Sequence, residues 1–368
     1  MNVLKLLFWS SAGALAWTHA AYPAAAVLAA RVRTRPVRKG GAQPSVSVIV
    51  AAHDEEGVIE RRVENLLGLD YPTERLDVIV ASDGSADRTD EIVERIAERD
   101  PRVRLLRLER RGKVAAQNTA ADAATGEILA FSDANALWAA SALRKLVRNF
   151  ADPEVAYVCG QLRLERADGT NREGAYWRYE LLVREAESRL GSVTAGNGSI
   201  YGIRRSEYVH LDPRVGHDLN FPYLMVQRGR RAVYEPEAVS FEKPTASIES
   251  EFRRKLRMFE QSWLVVLRGD ILRGLDPLYA VQIFSHRHLR YASGLLHVVL
   301  LGASIALAGE GAAYTAALAL QLGVLGAAAV RPGLPRYYVL ISAGTLVGLA
   351  RSLRSDVSTT WDRVEGAR

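Results

Sequence analysis

Apolar residues crowd the two ends of the chain, while its middle alternates between short β-branched runs and amphipathic stretches. Residues 3–30 are apolar apart from Lys5 and His19, more than the roughly 20 residues that cross a bilayer. A cleaved signal peptide competes with a membrane anchor here, through Lys5 and the small residues of AYPAAA. The length of the run and the arginines after it favour an uncleaved transmembrane anchor over 1–30, kinked at Pro23. Residues 31–44 form a basic linker ending at Pro44.

From 45 to 268 the period changes repeatedly between two and 3.6. VSVIVAA (46–52), LDVIVAS (76–82), VRLLRL (103–108) and EILAFS (127–132) read as buried strands. Helical spacing fills the gaps at 57–67, 87–98 and 113–124, with Asp87 as the N-cap of the second helix. Strand–helix alternation of this kind predicts an α/β domain with a mostly parallel central sheet covered on both faces. Further strands are expected at 155–165 and 199–205, and helices at 173–190 and 247–268, the last strongly amphipathic and basic. Residues 269–292 mix aromatics, Arg and His, and 275–292 reads as a helix lying in a membrane interface. Apolar stretches at 293–309, 312–330 and 336–350 predict two or three C-terminal membrane helices, followed by a tail over 351–368. The basic break RPGLPR prefers the cytoplasm and the acidic GEG the far side, which puts the central domain in the cytoplasm at the inner membrane; Arg351 and Arg354 sit uneasily with an external C-terminus.

Ligands of an open parallel sheet bind at the carboxyl ends of its strands. HDEE (53–56) follows the first strand, DGSADRT (83–89) the second, ERRGK (109–113) the third and DAN (133–135) the fourth. Three of these edges carry carboxylates and the third carries Lys113, so residues distant in sequence converge on one rim. No G-x-G-x-x-G follows the first strand and no G-x-x-x-x-G-K-[ST] occurs, which excludes the two common Gly-rich nucleotide loops. A carboxylate rim repels phosphate unless a cation bridges them, and Asp133 with Asn135 offers two oxygens from one turn to a hard cation such as Mg2+ or Mn2+.

The net charge of +6 comes mostly from Arg, and Arg31, Arg33, Arg35, Arg38 and Lys39 sit directly after the first apolar run. That placement favours an anionic membrane surface over nucleic acid, for which no recognition helix, zinc finger or RNA-binding aromatic motif is present. The single cysteine, Cys159, excludes an internal disulfide and, without a Cys/His cluster, a zinc site; it reads as a buried strand thiol in a reducing compartment.

PSVSVIVAAHDEEGVIERRVENLLGLDYP, VIVASDGSADRTDEIV, RRGKVAAQNTAADAATGEILAFSDAN and GHDLNFPYLMVQRG occur in this order. Together they resemble a family 2 glycosyltransferase with the GT-A fold over 44–268, in its membrane-bound form. The resemblance implies that His53, Asp54 and Glu55 line a nucleoside pocket, that Asp83 contacts base or ribose (uridine being the expected base), and that Lys113 lies near the diphosphate. It makes Asp133 the first member of the metal-binding D-x-D motif and Asp218 the general base of the E-D motif. GNGSIYGIRR (196–205), with Gly196, Asn197 and Gly198 at its start, matches the strand and loop on the acceptor side, and Arg254 and Arg257 fall where processive members carry Q-x-x-R-W.

For several of these residues a plain structural role competes: a turn for Asp83 and Asp133, a helix N-terminal carboxylate for Asp218, a solvated or membrane-facing helix face for Arg254 and Arg257, and packing at a strand end for His53. Trp138, Trp177 and Trp263 read as core or interface residues ahead of sugar platforms. Three departures bear on the product. Asn135 stands where Asp is frequent, His217 replaces the Glu of E-D, and RKLRM (254–258) lacks the Gln and Trp of Q-x-x-R-W. The expected activity is inverting transfer of one sugar from a nucleoside-diphosphate donor to a lipid-linked or glycan acceptor at the membrane. A processive polysaccharide synthase and an inactive membrane scaffold are the alternatives.

Overall fold

The computed structural model describes residues 2–164, 175–243, 248–330, 333–354, 357 and 359–360. The chain opens on α1 (Val3–Ala16) and α2 (Tyr22–Val32), separated by a π-turn at Trp17–Ala21. It continues through β1 (Val46–Ala52), α3 (Ile59–Leu67), β2 (Leu76–Asp83), α4 (Thr89–Ala97), β3 (Val103–Leu108), α5 (Lys113–Ala123), β4 (Ile128–Asp133) and β5 (Leu137–Trp138). Then come α6 (Ala142–Val147), β6 (Val155–Leu164), α7 (Ala175–Leu190), β7 (Tyr201–Arg204), α8 (His217–Gln227) and β8 (Arg231–Glu242). The remaining elements are helices: α9 (Ile248–Arg268), α10 (Pro277–Ile283), a second π-turn (Phe284–His288), α11 (Leu289–Tyr291), α12 (Ser293–Ala306), α13 (Ala312–Val330) and α14 (Leu334–Arg354). Two compact units result. One is helical (Met1–Ala26, Ile248–Leu272, Asp276–Val357) and the other is built on the sheet (Val27–Ser247, Arg273–Leu275, Ser358–Arg368).

The sheet runs β3-β2-β1-β4-β7-β6-β8-β5. Strands β3, β2, β1 and β4 are parallel; β7 is antiparallel to β4 and β6, β6 is parallel to β8, and β5 is antiparallel to β8. The carboxyl ends of β1, β2, β3, β4, β6 and β8 therefore share one edge. Every residue of β1 is buried, as expected of a parallel strand covered on both faces, and this is why its sequence is a continuous apolar run. Val48, Val50, Ile59, Val63, Val78, Val80 and Ile128 belong to the main core. Cys159 is buried on β6 with a free thiol, and Trp138 is buried in the core.

Four local expectations change. The helix expected from Asp87 begins at Thr89; Asp87 still accepts the Thr89 N–H, at 2.9 Å. The linker after α2 lies on the sheet unit: the Arg231 guanidinium donates to the Arg35 carbonyl at 2.7 Å, and Lys39 pairs with Glu235 at 2.8 Å. Arg35, paired with Glu154 at 2.9 Å, and Lys39 thus commit their charges at least partly to protein. β8 was not anticipated, since Glu235, Pro236 and Glu237 break the strand pattern, while α8, which carries Pro222, was expected only as the competing role of Asp218 as a helix N-terminal carboxylate. The π-turn at Trp17–Ala21 interrupts the first apolar run just ahead of Pro23, whose missing N–H leaves no α-helical partner for the His19 carbonyl.

In the helical unit, Phe8, Leu15, Leu300, Ala303 and Leu307 form a small core. Helices α12 and α14 approach closely at Gly294, where a Cβ would fall 2.2 Å from the Ser342 carbonyl oxygen. Among the described residues, α13 alone is long and apolar enough to cross a membrane by itself; α10–α11 and α12 together form a second candidate, bent by 64°. The expected interfacial helix over 275–292 is thus divided into α10, a π-turn and α11. Of the expected tail, 355–356, 358 and 361–368 lie outside the described residues.

Candidate functional site

Chain order reverses in the sheet between β1 and β4. β2 and β3 extend it on one side of β1, and β4 enters on the other. Such a switch point opens a crevice at the carboxyl edge, because the connections leave the two strands in opposite directions. Asp133 ends β4 beside Ala51 of β1 and therefore stands in that crevice.

The loops after β1 and β2 are fastened to each other. Asp54 adopts a left-handed backbone, φ 53°; its N–H donates to Ser85 Oγ at 3.2 Å and its Oδ1 accepts the Ala86 N–H at 2.7 Å. The buried Glu55 donates its N–H to Thr89 Oγ1 at 2.7 Å. His53 is buried and its Nδ1–H donates to the Asp83 carbonyl at 2.8 Å. It closes the space between two strand ends, which is the packing role, and it also fixes where the Asp83 backbone lies.

Asp83 is only 2% exposed. Oδ1 accepts the Arg111 N–H at 2.7 Å, and Oδ2 accepts the Gly112 N–H at 2.9 Å. Its carboxylate thus organises the loop that carries Lys113. Gly112 has φ 100°, and a Cβ there would fall 2.1 Å from the Thr359 carbonyl oxygen. Glycine is required on both counts.

Lys113, at the start of α5, reaches across to form an ion pair with Asp133. Burial disfavours its ammonium, but the Asp133, Asp218 and Glu242 carboxylates outweigh that and raise its pKa. Gly198 lies over this pair: a Cβ would meet Asp133 Oδ2 at 3.3 Å and Lys113 Nζ at 3.6 Å. Asn197 holds the loop, donating to the Gly160 carbonyl at 2.6 Å and accepting the Ile200 N–H at 3.1 Å. The Gly196 N–H donates to the Asp218 carbonyl at 2.7 Å. Residues 196–198 therefore run from Asp218 to Asp133. Asp218 sits in the first turn of α8; burial raises its pKa, while the nearby Lys113 opposes the rise. Asn135 is half-buried in the turn after β4. Arg254 and Arg257 lie on α9, in the helical unit, and are not among the residues that the sheet unit brings together.

Two residues, Glu242 and Arg62, join this set without having been anticipated, and Tyr201 joins it from the expected strand over 199–205. Glu242 ends β8 on the same edge and acts on the charges of Lys113 and Arg62. The rule of looking for a carboxylate after each strand finds it once β8 is recognised. Arg62 is fully buried, donates to Ser132 Oγ at 2.7 Å and stacks over Trp138 at 4.9 Å; burial pushes its pKa down to about 9. Tyr201 stacks on Phe131, 4.8 Å between ring centroids, and meets His217 Nδ1 at 2.6 Å. Tyr201 Oη also accepts from Gln117 Nε2 at 3.4 Å. Burial, with a contribution from Lys113, pushes the His217 pKa down to about 3, so the ring is neutral at ordinary pH.

A mixed, mostly parallel sheet with this rim of strand-end carboxylates and a lysine defines a GT-A glycosyltransferase domain. Residues 47–210 match the sequence model of Glycosyl transferase family 2. An N-acetylglucosaminyltransferase of Rhizobium meliloti (strain 1021) is 29% identical over 303 residues, 75% of this chain and 69% of that protein. A beta-monoglucosyldiacylglycerol synthase of Trichormus variabilis is 30% identical over 211 residues, 55% of this chain and 45% of that one. The mannosyltransferase of Pyrobaculum calidifontis, solved in complex with GDP-Man and Mn2+, has a TM-score of 0.76 at 25% identity, covering 96% of this chain and 99% of that one. Residues 47–210 form a family 2 glycosyltransferase domain. The chain is an enzyme of nucleotide-sugar glycosyl transfer.

Proposed function

We propose that the protein transfers a single sugar from a nucleoside-diphosphate sugar, with uridine as the base, to a membrane-associated acceptor, with inversion at the anomeric carbon. The observation that carries this reading is the Lys113–Asp133 pair beneath the side-chain-free Gly198, with Asp218 within electrostatic reach of both charges. One cation, one metal-type carboxylate and one carboxylate of raised pKa are the three charges the reaction needs.

The acceptor hydroxyl attacks the anomeric carbon as the bond to the diphosphate oxygen breaks. Asp218 takes the hydroxyl proton, a general-base role that calls for hydrogen-bond reach and an ionised carboxylate. Lys113 offsets the charge that grows on the leaving diphosphate. His53, Asp54, Glu55 and Asp83 shape the nucleoside side of the crevice, Asp83 acting through the backbone of the loop it holds.

The residues at the rim fit a divalent cation, Mg2+ or Mn2+. The donor set of Asp133 and Asn135 is all oxygen, Gly198 leaves the space beside Asp133 unfilled, and the Lys113 ammonium is already drawn to the Asp133 carboxylate. Among the described residues no group of three His, Cys, Asp or Glu could hold a metal alone, which suits a cation that takes its other ligands from substrate phosphates. When bound it supplies Lewis-acid charge at the diphosphate.

The apolar helices support a membrane location, with the sheet unit in the cytoplasm and an acceptor carried by a lipid or a growing glycan. Arg254 and Arg257 without Q-x-x-R-W favour single transfer over polymerisation. The test is product analysis with the purified full chain. Wild type should add one sugar and Asp218→Asn none; long products, or transfer surviving in Asp218→Asn, would overturn the reading.

A further inference from the structure

The two π-turns of the helical unit pack against each other. Trp17 Nε1–H donates to Ser285 Oγ at 2.8 Å, and Thr18 Oγ1–H to the Ser285 carbonyl at 2.7 Å. Such turns are rare in helices and frequent at functional sites. From this seam a polar track continues into the bundle: His19 Nε2 meets Ser293 Oγ at 3.1 Å, the His19 and Tyr338 rings are 5.5 Å apart, and Tyr338 Oη meets His297 Nε2 at 2.7 Å. Gln282, one turn before His286 and 2% exposed, has a buried Nε2 with no hydrogen-bond partner among the described residues.

Polar groups inside an apolar bundle are costly and tend to mark function, whereas apolar side chains would join the same helices without them. The sequence leaves the seam without a carboxylate of its own. Residues 3–26, 277–306 and 334–354 contain no Asp or Glu, yet contribute His19, His286, His288, Arg290 and His297. Arg290, His286 and His297 lie within electrostatic reach of His19. A seam rich in hydrogen-bond donors, with the Arg290 guanidinium beside it and helices free of carboxylates around it, selects an anion; its place among apolar helices selects an anion carried on hydrocarbon.

We infer that this seam binds the phosphate-bearing head group of a lipid. The inference deepens the lipid-acceptor part of the reading above. Binding is measured without a sugar donor, so its failure leaves transfer standing and failure of transfer leaves binding standing.

The test reconstitutes the full chain in phosphatidylcholine nanodiscs and titrates phosphatidic acid, diacylglycerol of the same chains, and inorganic phosphate, reading the melting midpoint and lipid retention by native mass spectrometry. Phosphatidic acid should raise the midpoint and be retained at least about tenfold over diacylglycerol, and inorganic phosphate should have no effect. Gln282→Leu and His297→Gln should each cut retention about fivefold or more, a typical loss for one hydrogen bond to a charged group. Equal retention of diacylglycerol would overturn the inference even if both variants failed to fold. So would wild-type retention in both variants, or an equal response to inorganic phosphate, which would make the seam helix-to-helix glue or a free-anion site respectively.

Discussion

The Lys113 ammonium is paired with the Asp133 carboxylate across the crevice between β1 and β4, with Gly198 directly above them. The pair keeps a cation at the metal-type carboxylate and presents positive charge where a diphosphate enters. Removing either partner leaves a partly buried charge uncompensated. Lys113→Met should weaken nucleotide-sugar binding by about tenfold or more, roughly 1.4 kcal/mol. Fluorescence titration with the nucleoside diphosphate checks this; an unchanged affinity would remove Lys113 from the donor site.

Gly198 supplies the space above that pair. A methyl group there meets Asp133 Oδ2 at 3.3 Å, tighter than ordinary contact. Gly198→Ala should fold normally, since nothing beneath it is core, and lose donor affinity by about tenfold. The thermal midpoint and the donor KM, measured together, separate a site effect from a folding effect.

Asp218 sets the acid limb of activity. Burial raises its pKa above the usual carboxylate value, with Lys113 opposing, and only the ionised form can accept the acceptor proton. Transfer should therefore fall as pH drops through that raised pKa. The effect on stability has the opposite sign. A folded pKa above the unfolded one stabilises the fold fully below the unfolded pKa, and this contribution is lost as pH rises through the folded pKa. Asp218→Asn should then melt at or above the wild-type temperature at neutral pH while transfer drops by about a hundredfold or more. A pH–rate profile with matched melting curves tests both signs.

Glu235 makes a complementary prediction about the fold. It is 0% exposed in the bulge of β8 and receives Lys39 at 2.8 Å, Arg148 at 3.0 Å and Asn149 at 3.0 Å. Burial alone would raise its pKa; the hydrogen bonds from Arg148, Lys39 and Asn149 win and lower it. Its stabilisation is present above the unfolded pKa and fades as pH falls through the depressed folded value. Glu235→Ala, which takes the buried carboxylate from Lys39 and Asn149 and leaves Arg148 with Glu237 alone, should cost about 1–3 kcal/mol. Urea unfolding at neutral pH and again below pH 4 should show the difference shrinking with acid.

Burial decides how much of the fold and site is legible in the sequence. β1 and β2 are covered on both faces, so their residues had to be apolar throughout, and the polar groups at the strand ends stand out against them: Asp54, Asp83, Lys113 and Asp133 each lie at or just beyond the carboxyl end of a strand. β8 escapes because it is bent by a bulge. Glu235 and Glu237 lie where the β6–β8 register slips between Cys159 and Gln161, and what makes a buried glutamate tolerable there is Lys39 and Arg148, far away in the chain. Glu242 is lost along with that strand. Helix α8 enters the sequence reading only as the competing role of Asp218, because Pro222 obscures its length, while Asp218 itself is identified through the family resemblance. The basic linker reads as membrane-seeking because its partners, Glu235 and Glu154, are visible only after folding.

The central claim is that Asp133 and its neighbours form a cation-assisted nucleotide-sugar site. Isothermal titration of the purified full chain with UDP and UDP-sugars, with and without Mn2+, tests it most directly. Wild type should bind tightly and in a Mn2+-dependent way, and Asp133→Ala should lose that dependence together with at least about tenfold of the affinity. Binding that is indifferent to Mn2+, or equally tight in Asp133→Ala, would contradict the claim.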